Sequence, residues 1–342
     1  MQWRRVLPEY SWGQHDTPLW HSDWAMTDTT TPPETTMNPM QQEVLEALSK
    51  QPDWQPLSRN VIESIREQLH EGLAEVAARL SPDNAMWVSK HKLTTVHGCE
   101  ANHMASLTNF EWTLGNVKGT VLHKAIELGL NWRGPVVPAV VVDEALDQLA
   151  HNEGASASQF IEQLPEGDMA QLRSSAIDLY TKFDECFPTL KAAWRPVLES
   201  SARYEMFDQR INLSTRADLT LGAPGSKVII DVKSGRLHSS HREELRFYAL
   251  VEAMRTGMAP RRLASYSLVT ARPEVEDVTE GVLQAAVRKT VDGIKHMVEL
   301  QRDHRKPTTR AGNACLWCPL ITSCKEGASF IVRRNDTDAT NN

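Results

Sequence analysis

The pattern of hydrophobic and polar positions changes its period near residue 200. Before that point, apolar residues recur every three or four positions, which predicts helices over 41–80, 92–107, 119–130 and, as two or three helices, 140–191. After it, short β-rich runs predict strands over 201–208, 211–221, 227–234 and 264–271, with helices over 241–257 and 280–303. Helices that flank a small mixed sheet indicate an α/β fold, with a helical insertion ahead of the sheet.

The pattern also sets the domain boundaries. Residues 1–40 include TDTTTPPETTMNP, which cannot form a packed element, and we expect this N-terminal segment to be disordered. A single domain is predicted over 41–331, with a mainly helical part (41–200), a sheet-bearing core (201–300) and a cysteine-rich region (301–331). We expect residues 332–342 to be a disordered tail.

Composition narrows the class of protein. Of the 342 residues, 24% are charged and 41% hydrophobic, as in ordinary globular proteins. The net charge of −7 argues against a protein that coats nucleic acid non-specifically, although metal-binding carboxylates would also make a nucleic-acid enzyme acidic. No apolar run approaches the ~20 residues of a membrane span, and no signal-peptide core is visible at the N-terminus. We therefore expect a cytoplasmic protein without a membrane partner.

The strand VIIDVK ends in an unusual charged pair. Asp231 and Lys233 are two positions apart, so they share a face of the strand. Charges at the end of an apolar strand are costly to bury unless they are paired or bind a metal. A hairpin through APGS would place Asp218 beside Asp231, giving two carboxylates that a hard cation could join. Alternatively, Lys233 lies at an exposed strand end and Asp231 caps the next turn.

His123 is a candidate third ligand for such a cation. It lies one helical turn before Glu127 on the predicted helix 119–130. A lone histidine is also compatible with an ordinary surface or core position. If the cation is present, the neighbouring ammonium of Lys233 could stabilise the charge that develops on a phosphorane or position the attacking water.

Three of the five cysteines form a C-x2-C-x5-C run. They are Cys315, Cys318 and Cys324, and Cys99 is the best candidate for a fourth ligand. Close-set cysteines in an intracellular protein suggest metal binding rather than disulfides. Zinc and an iron–sulfur cluster both accept four thiolates, and the spacing does not choose between them. Either site would be a staple that joins the C-terminal tail to a segment more than 200 residues earlier.

In their order along the chain, these features resemble the RecB-type branch of the PD-(D/E)XK nucleases. The closest likeness is to the iron–sulfur exonucleases of the AddB nuclease domain and of CRISPR adaptation, and it covers roughly Ser89 to Glu326. The matching motifs are Cys99, GTVLH ending in His123, Glu205 in RYEMF, RAD ending in Asp218, DVK with Asp231 and Lys233, ELRFY ending in Tyr248, and Cys315, Cys318 and Cys324.

The resemblance implies roles for these residues. His123, Asp218 and Asp231 would hold Mg²⁺ or Mn²⁺, with the Val232 carbonyl as a possible further ligand. Lys233 would be the catalytic lysine, and Glu205 the acidic residue of the first strand.

The same resemblance extends to the surroundings of the site. Tyr248 would contact DNA or support the site, and the four cysteines would hold a structural 4Fe–4S cluster. One position departs from the family pattern, because Glu244 stands where the family usually has glutamine. An acid there would either bind metal or repel phosphate.

The expected function is a metal-dependent DNA nuclease, an exonuclease on single-stranded ends, in repair, recombination or phage- or CRISPR-related processing. The alternative is a catalytically inactive, DNA-end-binding accessory subunit of the same fold; a zinc-stapled interaction protein is a third reading. The chain has no G-x-x-x-x-G-K-[ST] loop, so any unwinding motor would be a separate helicase or recombination partner.

Overall fold

The computed structural model describes residues 37–108, 110–152 and 156–340, with side chains to residue 334. The helices are α1 Pro39–Leu48, α2 Arg59–Ala78, α3 Lys90–Gly98, α4 Glu100–Ser106, α5 Leu114–Leu130, α6 Pro138–Ala150, α7 Ser156–Glu162, α8 Glu166–Cys186, α9 Ser239–Thr256, α10 Glu280–Arg302 and α11 Lys325–Thr340. The strands are β1 Met86–Val88, β2 Val197–Met206, β3 Ile211–Leu221, β4 Val228–Lys233, β5 Arg262–Ser267 and β6 Arg272–Asp277.

The strands form one mixed sheet that divides along β3. One edge of β3 pairs with β2 over nearly its whole length. The other edge pairs with β1 at residues 211–213 and with β4 at residues 219–221. Between these two ladders, residues 214–218 have no strand partner on that edge among the described residues. This opening lies beside Asp218 and next to the last residues of β4.

Helices cover both faces of the sheet. On one face α2, α3, α9 and α10 pack through residues such as Leu69, Leu93 and Leu250. On the other face α5, α6 and α8 pack on the β4–β5 half of the sheet through residues such as Leu122 and Tyr180. Most of the buried side chains are apolar, so the charged groups described below need specific partners.

The elements differ from the sequence prediction in places that have physical reasons. Two strands were not predicted from the sequence. β1 is only three residues long, and β6 is a polar edge strand, RPEVED, in which hydrophobic and polar residues alternate only weakly. The predicted helix 92–107 is two helices, because Cys99 adopts an extended conformation (φ −157°, ψ 113°) between α3 and α4.

We expected residues 332–342 to be a disordered tail, but the structure shows helix α11 continuing to Thr340. The expectation for residues 1–40 falls mostly outside the described residues, and α1 already begins at Pro39. Across the described ranges, none of the helices is long and apolar enough to cross a membrane.

Candidate active site

Three side chains converge where α5 meets the β2–β3 hairpin. His123 of α5, Glu199 of β2 and Asp218 of β3 each offer a ligand atom, and these atoms lie within 4.8 Å of one another. His123 Nδ1 is 3.2 Å from Asp218 Oδ1 and 3.9 Å from Glu199 Oε1. One imidazole and two carboxylates are a donor set that suits a divalent cation.

The backbone places Glu199 at this point. Glu199 lies at the position of β2 opposite Asp218, between the paired residues Leu198↔Leu219 and Ser200↔Ala217. Its φ of 48° is in the left-handed region, which costs a non-glycine residue about 1–2 kcal/mol. Strain of this kind is concentrated at functional sites, where the surrounding fold maintains it.

Burial and charge affect the protonation of this group. Burial lowers the pKa of His123, but the Asp218 and Asp231 carboxylates outweigh it, so the pKa is raised above its usual value. Burial also raises the pKa of Glu199, against the opposing effect of the Arg216 guanidinium, whose Nε is 2.5 Å from Glu199 Oε2. The group is therefore a compact, partly dehydrated set of ionisable side chains.

Asp231 lies on the next strand and is almost completely buried. Lys90 Nζ donates to Asp231 Oδ1 at 2.6 Å, and Lys233 Nζ lies 2.8 Å from Oδ2. Burial raises the pKa of the Asp231 carboxyl, but these two ammonium groups hold it at about 2. Among the described residues, Oδ2 accepts no hydrogen bond of good geometry, so it is a buried carboxylate oxygen with capacity for a ligand.

Glu244 completes a set of two carboxylates and two ammonium groups. Its Oε2 accepts from Lys233 Nζ at 3.0 Å and lies 3.8 Å from Lys90 Nζ. The acid at the position where the family usually has glutamine is therefore balanced by a lysine from α3. Lys90 also lies over the Tyr248 ring, with Nζ 5.1 Å from the centroid.

Tyr248 supports the opening in the sheet. Its hydroxyl donates to the Arg216 carbonyl at 2.9 Å, within the part of β3 that lacks a strand partner on that edge. Burial raises the pKa of Tyr248. The contact favours the supporting role over direct contact with DNA.

The structure brings together most of the residues singled out from the sequence. Val232 N donates to Asp218 Oδ2 at 2.6 Å, which links β4 to β3 beside the ligand group. Val232 also lines the same small cavity as His123, Glu199 and Asp218.

Glu205 is the exception and needs correction. It is exposed, pairs with Arg203 at 3.3 Å and lies opposite Asn212, six residues along β2 from Glu199. Glu199 is the acidic residue that β2 contributes to the site. Extending the predicted strand back to Val197 would have placed Glu199 opposite Asp218, whereas nothing in the local sequence pattern indicates Lys90.

A second group of side chains lies beyond α3. Cys99, Cys315, Cys318 and Cys324 line one small cavity at the end of the chain, and none of them forms a disulfide. Burial raises the pKa of the Cys318 thiol, and the nearby Cys99, Cys315 and Cys324 raise it further. A Cβ on Gly327 would lie only 3.4 Å and 3.5 Å from two of the sulfurs, so the glycine leaves room beside them.

Backbone amides point at these sulfurs. The donor–sulfur distances are 3.5 Å for Arg310 N to Cys99, 3.4 Å for Gly312 N to Cys315 and 3.4 Å for Gly327 N to Cys324. No three of the four sulfurs lie within 4.8 Å of one another among the described residues. Four thiolates around one zinc ion would be about 3.8 Å apart, given Zn–S bonds of about 2.3 Å.

Glu100, next to Cys99 in the chain, binds the segment that contains Arg305 and Thr308 through hydrogen bonds, with no contribution from the cysteines. Arg305 donates to both Glu100 carboxylate oxygens at 2.6 and 2.9 Å. The backbone N–H and hydroxyl of Thr308 donate to Oε2 at 2.9 and 2.8 Å. The hydrogen bonds from Arg305, and then those from Thr308, lower the pKa of Glu100 to about 2 despite burial.

We expect Glu100→Gln to lower the free energy of unfolding by about 2–3 kcal/mol, because hydrogen bonds to a charged group are lost. The contribution of Glu100 in the wild type should be complete above about pH 4.5 and disappear as the pH falls toward about 2, since its pKa is lowered on folding. Urea titrations of both proteins across that range would measure the difference. Exposed Glu67→Gln is the control, and an equal loss in both variants would contradict the assignment.

A mixed sheet flanked by helices, with acidic residues and a lysine at the ends of adjacent strands, is the architecture of a hydrolytic nuclease core. The chain belongs to the PD-(D/E)XK nuclease superfamily, whose sequence model matches residues 88–325, more than half of the chain. Nucleases of this superfamily usually use Mg²⁺ or Mn²⁺, and a possible acidic metal site is present here. This membership supports a nuclease, and a nuclease of this superfamily would act on DNA.

Comparisons with individual proteins add little to this assignment. A predicted exonuclease from Eubacterium rectale has 12% sequence identity and a TM-score of 0.42, over 65% of this chain and 84% of that one. The protein SSO0001 has 14% identity and a TM-score of 0.29, over 60% of this chain and 95% of that one. No curated protein matches the sequence. The superfamily match therefore carries the assignment.

Proposed function

We propose that the protein is a Mg²⁺- or Mn²⁺-dependent deoxyribonuclease that degrades DNA from single-stranded ends. The observation that carries this proposal is the position of the His123–Glu199–Asp218 group beside Asp231 and Lys233. The resemblance of the ordered motifs to RecB-type exonucleases supports the choice of DNA ends over internal sites.

The donor set fits a divalent cation. His123, Glu199 and Asp218 would hold it, and the buried Asp231 Oδ2, which is ion-paired with Lys233, and the Val232 carbonyl are candidates for further ligands. When bound, such a cation supplies a Lewis acid for the phosphate and lowers the pKa of a coordinated water. The pairing of His123 with Asp218 orients the imidazole toward the group.

Lys90 and Lys233 supply positive charge next to the Asp231 carboxylate. Lys233 is held between Asp231 Oδ2 and Glu244 Oε2, which fixes its ammonium at the end of β4. From there it would stabilise charge that develops on the phosphate or orient the attacking water. Lys90 balances the second carboxylate, so that Glu244 does not leave the site with an excess of negative charge that would repel DNA.

We also propose that the four cysteines hold a 4Fe–4S cluster with a structural role. The resemblance supports it, as do the amide N–H groups near three sulfurs and a spread of sulfurs wider than a single zinc ion requires. Zinc is the alternative occupant. The cluster would reinforce the attachment that Glu100 already makes between α4 and the C-terminal segment.

We expect the 342-residue chain to degrade end-labelled single-stranded DNA when Mg²⁺ or Mn²⁺ is supplied, and Glu199→Gln to raise the half-saturating metal concentration at least tenfold. The increase is expected because the loss of a ligand weakens metal binding. Glu205→Gln, on the same strand but outside the group, should leave the half-saturating metal concentration unchanged. The assay uses 5′- and 3′-labelled single and double strands, with protein prepared anaerobically. The order of product lengths would also give the polarity.

Two results would contradict the proposal. Binding to DNA ends without cleavage across several divalent metals would favour the accessory-subunit function. An equal response of Glu199→Gln and Glu205→Gln would remove Glu199 from the metal site.

A further inference from the structure

Among the described residues, no helix covers the face of the β2–β3 ladder that carries the exposed residues Ser201 and Arg203. The opposite face of β2 packs on the core through Ala202 and Tyr204, so the alternate residues Ser201 and Arg203 face outward. Their partners across the ladder are Arg216 and Ser214, respectively. The side chains of Arg203 and Arg216 are 55% and 68% exposed.

An aromatic ring lies at the far end of this face. Trp87 of β1 is 44% exposed and pairs with Asn212 at the start of β3. The Arg203 guanidinium lies over its ring, with Cζ 4.6 Å from the centroid. Lys92 Nζ donates to the Trp87 carbonyl at 2.8 Å, which places a second cation beside Arg203 at this end.

The face leads directly to the candidate active site. Arg216 Nε is 2.5 Å from Glu199 Oε2, so the second arginine contacts the ligand group itself. Asn212 and Asp218 are six residues apart on β3, which corresponds to about 20 Å along the strand. The order along this line is therefore an aromatic ring with a stacked arginine, a second arginine, and the acidic group.

We propose that Trp87, Arg203 and Arg216 form a binding track for single-stranded DNA that delivers the strand to the His123–Glu199–Asp218 group. The proposal rests on the proposed nuclease function and names its substrate. Cationic side chains match the phosphates, while an exposed ring offers stacking to an unpaired base. A duplex keeps its bases stacked internally, so it cannot use Trp87 in this way. Glu205, 3.3 Å from Arg203, offsets part of the charge.

We expect Trp87→Leu to raise the Kd for single-stranded DNA about 5- to 150-fold, the loss measured when a stacked base loses its aromatic partner. Trp87→Phe should recover most of the affinity because it restores a ring. The probe is fluorescein-labelled oligodeoxythymidylate of about 15 nucleotides, and its anisotropy is measured in EDTA so that binding is observed without turnover. Thermal melts of each variant would establish that the fold is intact.

A matched control is available on another part of the chain. Trp54 also carries a cation over its ring, with Lys50 Nζ 5.0 Å from the centroid. It follows α1, which packs against β6 at the opposite edge of the sheet. Trp54→Leu should therefore leave the Kd unchanged. Arg203→Gln should reduce the slope of log K against log salt by about 0.7, as expected for one lost phosphate contact on a single strand.

The outcomes separate this proposal from the proposed function. A small phosphodiester, bis(p-nitrophenyl) phosphate, is too short to reach Trp87, so its hydrolysis with Mn²⁺ should be unaffected by Trp87→Leu. If the wild type cleaves neither substrate but Trp87→Leu still weakens binding, the track stands and the nuclease function fails. If Trp87→Leu binds single strands as the wild type does, or weakens duplex binding equally, the track is overturned.

Discussion

Lys233→Met is expected to reduce DNA cleavage by about 10²- to 10⁴-fold, the usual effect of removing a group that acts on the reacting atoms. The ammonium lies 2.8 Å from Asp231 Oδ2 and 3.0 Å from Glu244 Oε2, so it is fixed beside the proposed metal ligands. Methionine keeps the aliphatic volume but cannot donate to a phosphate oxygen or to water. Asp231 retains Lys90 as a partner, and we therefore expect the variant to fold.

The rate of cleavage under single-turnover conditions, at saturating Mn²⁺, would measure this effect without a contribution from product release. Lys191→Met is a suitable control, because Lys191 lies over the Trp194 ring and outside the site. Binding of single-stranded DNA should change little in either variant. Cleavage by Lys233→Met at the wild-type rate would remove Lys233 from the mechanism.

Cys324→Ser is expected to abolish the iron–sulfur absorbance near 400 nm and to release the C-terminal segment. Metal sites of this type contribute directly to folding, because the ligands are brought together only in the folded state. Without the cluster, the Glu100 contacts still hold Arg305 and Thr308, but the cysteine-bearing residues 309–324 lose their attachment, and we expect a protease to cleave there at least tenfold faster. Iron per chain and the visible spectrum would measure the loss of the cluster, and limited proteolysis would measure the release of the segment.

Cys186→Ser is the matched control for that variant. Cys186 is the fifth cysteine and lies at the end of α8, away from the other four. It should keep both the colour and the resistance to proteolysis. A colourless wild-type protein with one zinc ion per chain would instead show that the cysteines hold zinc.

The sequence was most informative where chemistry is concentrated in short motifs. Asp231 and Lys233 are visible because charged residues end an apolar strand, and the cysteines because of their spacing. Glu199 was harder to find, since its position depends on the register of a hairpin and on a left-handed backbone conformation. Lys90 reaches Asp231 from 141 residues away, and no local pattern encodes that contact.

The fold shows the same division between local and long-range information. The long amphipathic helices and the central strands follow from periodicity alone. The break between α3 and α4 does not, because Cys99 is extended where the surrounding residues favour a helix. Contacts from the C-terminal segment, such as Ala101 N to the Thr308 carbonyl at 3.1 Å, hold α4 in its position.

Helix α3 gives this arrangement a mechanical consequence. It begins at Lys90, which donates a hydrogen bond to Asp231, and ends beside Cys99. This nine-residue helix therefore connects the candidate active site to the cysteine group. A helix of nine residues is a rigid element about 13 Å long. If the cysteines hold the proposed cluster, its loss by oxidation would disturb the Cys99 end of α3 and, through that helix, the contact between Lys90 and Asp231.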